Sequence, residues 1–148
     1  MTIRTPFATQ IRAAAVELLT AYAADVGVKL QVYRARPASV FPPCAFVDSM
    51  SEVVEYFGPA IRQRTPRAEV VVLHGLFDSG DAVDQRDAFV DGFLDWVTDD
   101  VHAAGADSTL GLIGVDDEPN FVTDWLAPEN QRSYYATRLT LEGFIGNN

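Results

Sequence analysis

The chain has one cysteine, Cys44, and two histidines, His74 and His102, among its 148 residues. A lone cysteine excludes an internal disulfide. With no C-x-x-C pair and two histidines far apart, a zinc site has almost no ligands to draw on. No apolar run approaches the ~18 residues of a membrane-spanning helix. The opening MTIRTPFATQIR lacks the apolar core of a secretory signal, so a reducing interior is the expected setting. There is no G-x-S-x-G elbow, no G-x-G-x-x-G and no P-loop, so neither a hydrolase nucleophile nor a nucleotide site is signalled. The EF-hand pattern is missing too, as are the Glu-x-x-His pairs of di-metal bundles.

Basic residues are also scarce: 11 Lys and Arg stand against 21 Asp and Glu, for a net charge of -10. A nucleic-acid binder shows a basic footprint, and this chain has none overall. The imbalance is uneven. Residues 1–76 carry eight basic and six acidic side chains, whereas residues 77–148 carry three and fifteen. Such a polarity suits attraction between the unlike halves of neighbouring subunits, and equally suits plain solubility. Hydrophobic residues make up 48%. That share, at this length, predicts a single globular domain over residues 1–148.

The apolar rhythm Phe7, Ile11, Ala14, Ala15, Leu18, Tyr22 predicts an amphipathic helix. Thr5 offers its N-cap, Pro6 its first turn and Gly27 its C′ residue. KLQVYR at 29–34 reads as a short strand, and ARPASVFPP at 35–43 as a loop. Residues 44–57 read as a long strand with a bulge or bend near Asp48–Ser51. Residues 58–66 read as a turn or an extended hairpin tip. The strand RAEVVVLHGLF at 67–77 returns antiparallel to 52–57. A second helix is expected over 78–104, with Val83, Phe89, Val90, Phe93, Leu94, Val97 and Val101 facing inward. His102 would then sit at its negative pole and Gly105 at its stop. Strands are expected at 110–115, 121–126 and 133–145. The order α-β-β-β-α-β-β-β predicts an α+β fold, a mostly antiparallel sheet with both helices on one face.

Four chemistry-bearing features need weighing. The stretch VVVLHGLFDSG resembles an oxyanion-hole turn, with His74 and Asp78 as a hydrolytic pair. Without a nucleophile elbow, His74 is expected as a strand residue and Gly75 as a bulge or close-contact point. Asp84, Asp87, Asp91 and Asp95 fall on one stripe of the second helix, which suits a solvated or interface face better than a metal site. Cys44 follows Pro42-Pro43 at an apolar strand start and is expected to be a buried structural cysteine. Trp96 and Trp125 are expected as core or interface aromatics.

The sequence of elements carries one resemblance. An N-terminal amphipathic helix is followed by a proline-rich loop around FPPCAFV. Then come a long hairpin ending in VVVLHGLF, the acidic helix DAVDQRDAFVDGFLDWV and the closing strand SYYATRLTLEGFI. Over roughly residues 5–145 this is similar to the tail terminator, or tail-completion, proteins of long-tailed bacteriophages. The segment 105–132 is the part that fits least well. The resemblance implies a structural virion protein, not an enzyme, with no cofactor and no metal. Such proteins form a ring, usually a hexamer, on the phage tail tube and present a joint to the head connector or neck protein. They assemble in the host cytoplasm, and DNA passes through without specific binding. Two alternatives stay open: a phage neck or head-completion protein, and a small cellular α+β ligand-binding domain. Arg62, Arg64 and Arg67 at the hairpin, with Asp84, Asp87, Asp91 and Asp95 on the helix, are the candidate interface residues.

Overall fold

The computed structural model describes residues 7–56, 58–59, 62–99 and 108–145. The expected cap at Thr5–Pro6, and Val101, His102 and Gly105, lie outside the described residues. Helix α1 spans Phe7–Val26. Ile11, Ala14, Ala15, Leu18 and Tyr22 are buried along its inward stripe, joined by Leu19 and Ala23. Gly27, at φ 73°, ends the helix. The Val28 N–H then bonds the Ala23 carbonyl at 3.0 Å, the closure of a Schellman end.

Strands β1 (Gln31–Tyr33), β2 (Cys44–Tyr56) and β3 (Arg62–Leu76) follow. After helix α2 (Gly80–Asp99) come β4 (Ser108–Val122) and β5 (Ser133–Ile145). They form one sheet in the order β1-β2-β3-β5-β4, antiparallel except for the parallel β1–β2 edge. The fold is α+β, with both helices on one face of a mostly antiparallel sheet. No helix among the described residues is long and apolar enough to cross a membrane.

Alternation along the strands builds two cores. Ala45, Val47, Ala68, Val70, Val72, Leu139 and Leu141 face the helices and pack with Ile11, Leu18, Leu19, Tyr22 and Phe93. Cys44, Phe46, Val71, Leu73 and Ala136 face the other way. Phe121, Tyr134, Trp125, Tyr33 and Val40 cover them. The proline-rich loop is tied down there, because the Trp125 indole N–H bonds the Pro37 carbonyl at 2.8 Å.

Three elements differ from expectation. Strand β3 begins at Arg62 rather than Arg67: the tip is an extended hairpin in which 62–66 pairs with 52–56, so 67–73 pairs with 44–51 and not with 52–57 as expected. Pro66 is tolerated because β5 pairs β3 only as far as Arg67, which leaves the stretch beyond it one-sided. The segments 110–115 and 121–126 do not form two strands. Strand β4 runs continuously from Ser108 to Val122, with irregularities between Leu112 and Gly114 and between Glu118 and Phe121. The second one absorbs Pro119, and 123–126 becomes a turn that seats Trp125 against Phe46 and Phe121. In α2 the inward stripe is Ala82, Phe89, Phe93, Trp96 and Val97, while Val83 and Leu94 are exposed. At 100° per residue the first set falls on one line and the other two lie off it.

Candidate assembly surfaces

Strands β2 and β3 continue as a two-stranded arm beyond the end of the β3–β5 ladder. The pairs run from Glu52 opposite Pro66 to Tyr56 opposite Arg62. At ~3.3 Å per residue the arm reaches about 15 Å. Alternation places Val54 and Tyr56 on the same face as Glu52 and Arg64. Tyr56 is 72% exposed and Val54 41%. The expected basic tip is therefore a mixed apolar and charged strand face. Two of the three candidate arginines already have acidic neighbours, Arg67 from inside the β3–β5 ladder. Arg64 pairs with Glu52, its Nη2 lying 3.0 Å from Glu52 Oε2, and Arg67 Nε lies 3.4 Å from Glu142.

The acidic stripe occupies the opposite surface of α2 from the buried one. Asp84, Asp87, Asp91 and Asp95 are all exposed. Arg86 partly neutralises one of them: its guanidinium reaches Asp87 at 2.9 Å and Asp117 of β4 at 2.7 Å, and lies 5.5 Å from the Tyr135 ring. Arg86 thus ties α2 to the sheet while the other three carboxylates face solvent. The arm and the helix stripe are two unlike surfaces on one subunit.

A third charged region was not foreseen. On the helix-free face, Arg138 is shared among Asp48, Glu69 and Glu118. Its Nη1 lies 3.1 Å from Asp48 and 2.9 Å from Glu69, and its Nε bonds Glu118. Arg36 bonds Asp48 at 2.6 Å and stacks over Trp125 at 4.8 Å. The Glu118 hydrogen bond, then Asp48, holds Arg138 yet more firmly cationic. Asp48 sits at the irregularity between Val47 and Ser49, as the expected bulge. The one sequence signal for the network was that same acid inside an apolar strand.

His74 lies in the sheet at the irregularity between Leu73 and Gly75. Its Nε2 is 2.8 Å from Thr137 Oγ1, and its ring lies 5.4 Å from Phe89. Burial, with Arg86 nearby, lowers its pKa to about 4. Asp78, its imagined partner, is exposed in the following turn. A Cβ on Gly75 would lie 3.3 Å from Ala82 Cβ, so this glycine is where β3 and α2 approach closely. Cys44 is fully buried and its thiol is pushed up to about 11. An open cavity of about 300 Å³ lies between Ser39–Phe41 and Leu126, Arg132 and Tyr134. Among the described residues no three His, Cys, Asp or Glu side chains gather as a metal-binding group. In comparisons with known proteins the chain matches no protein-family model and no curated sequence.

Proposed function

We propose that this chain is a tail terminator: a structural virion protein that caps a phage tail tube as a ring and forms the joint to the head connector. The observation that carries the reading is the pairing of two unlike exposed surfaces on one subunit, the projecting arm and the acidic stripe of α2. A ring needs a heterologous contact, in which each subunit offers two different patches. The resemblance in element order over residues 5–145 adds the place of that ring in a virion.

In this reading the arm, with Arg62 and Arg64, and Arg67 on the other face at its root, meet an acidic surface of the next subunit or of the tube protein. Asp84, Asp87, Asp91 and Asp95 supply such a surface. Exposed pairs are individually worth about 0.2–1 kcal/mol, so they set register and on-rate more than affinity. A net charge of -10 repels a passing phosphate backbone, which lets DNA slide through without sticking.

The test is negative-stain imaging of the purified protein at high concentration, alongside an image of the tail end. A ring with a central opening is expected. A closed two-fold dimer, or a monomer at every concentration, contradicts the reading.

A further inference from the structure

We infer that neighbouring subunits join by strand addition, with the outer edge of β4 in one copy pairing antiparallel with the outer edge of β2 in the next. The inference deepens the ring reading above and rests on it.

The sheet has two open edges at the same end. Among the described residues strand β4 is hydrogen-bonded to β5 alone. Strand β1 pairs with β2 only from Cys44 to Phe46, so from Val47 onward β2 has β3 as its single strand neighbour among the described residues. The two edges are level. Gly111, Glu142, Arg67 and Ser51 form one row across four strands, and Val115, Leu139, Val70 and Val47 form another. The stretch Gly111 to Val115 therefore stands at the height of Val47 to Ser51. Level edges let copies repeat sideways without climbing, which favours closure over a spiral.

Direction fits as well. Each step β2–β3, β3–β5 and β5–β4 is antiparallel, so β4 runs opposite to β2. A second copy set beside the first, with its helices on the same face, presents β2 antiparallel to β4. That ladder is the more stable of the two kinds.

The chemistry of β4 distinguishes its halves. Asp116, Asp117, Glu118 and Pro119 guard one half with charge and a missing N–H. Such devices keep an edge from pairing. The stretch Leu110–Val115 has no charge and no proline, and its Ile113, at the irregularity between Leu112 and Gly114, is 49% exposed. Facing it, Ser49, Met50 and Ser51 are uncharged, and Asp48 beside them, at the irregularity, is paired with Arg36 and Arg138. An edge guarded along one half only is suited to an occupant, and the level, opposed edge of a second copy matches it.

Amide hydrogen exchange on the full chain, assembled and dilute, tests this. Assembly should slow exchange at least tenfold in both 110–115 and 49–52. Placing an edge lysine by Ile113→Lys or Ser51→Lys should raise the assembly concentration at least tenfold with circular dichroism and Tm unchanged. Rings without added protection in both segments, or rings that survive both lysines, overturn the strand seam and leave the ring reading standing. Protection of both segments in an open filament upholds the seam and overturns the ring. A monomer at all concentrations overturns both.

Discussion

The hydroxyl of Tyr22 in α1 rests on Gly92 of α2: a Cβ at that glycine would lie 2.6 Å from the oxygen. The Tyr22 ring cannot swing aside. It meets Phe89, Phe93 and Trp96 edge-on, with centroids 5.5, 5.2 and 5.4 Å away. Alanine would improve helix propensity by about 1 kcal/mol. Overpacking here costs about 1–3 kcal/mol and should win. Gly92→Ala is therefore expected to lower stability in urea denaturation. Tyr22→Phe removes the offending atom, so the double variant should recover much of the loss, a coupling that a double-mutant cycle reads directly.

His74 predicts a pH dependence. Its folded pKa of about 4 lies below the unfolded value of 6.5, so the unfolded chain binds a proton that the folded chain refuses. Stability is then lost as pH falls from about 6.5 to about 4, by up to roughly 3 kcal/mol, and levels off below. In His74→Gln that part of the slope should vanish. Urea midpoints of both proteins across this window measure it; parallel curves would show that burial does not hold the imidazole neutral.

Arg138 holds three carboxylates together, and Asp48 among them has a side chain only 8% exposed. Arg138→Met leaves those acids facing one another. The loss at pH 7 should be about 3 kcal/mol, because breaking a buried pair strands its partner. Urea denaturation of both proteins at pH 7 checks the magnitude.

The Cys44 thiol is buried and held up to about 11, so the reactive thiolate is scarce at pH 8. Aromatic disulfide reagents should label it slowly in the folded protein and quickly in urea. Fast labelling of the folded chain would contradict the packing around Phe46.

Charge reversal tests the arm. Arg62, Arg64 and Arg67 changed together to glutamate should impair ring assembly more than Lys29→Glu. Assembly should also weaken above ~0.15 M salt, where the screening length is about 8 Å. Asp→Lys changes at Asp84, Asp87, Asp91 and Asp95 should restore part of the loss if arm and helix meet. Unchanged assembly at low salt in the arginine variants would make the arm a solvated loop. Sedimentation of all variants at matched concentration decides.

Much of the fold was legible because its signals are local. The α1 stripe, the Gly27 stop and the β-branched run of β3 each act within a few residues. What was not legible depends on distant partners. Strand β4 passes through Asp116 to Pro119 because Arg138 of β5 receives Glu118 and an irregularity takes up the proline. Strand β3 reaches back past Pro66 because β5 stops beside it. The Arg138 network joins four strands' worth of sequence, and no single window contains it. The arm's arginines were visible, but not their partners Glu52 and Glu142, which lie across the ladder.

Native mass spectrometry of the concentrated protein, with images of the same sample, asks whether copies of this chain close into a ring through unlike surfaces. One closed species is expected, most simply a hexamer with a central opening, that dissociates on dilution or in high salt. A two-fold dimer, or a monomer that persists at every concentration and salt, would contradict it.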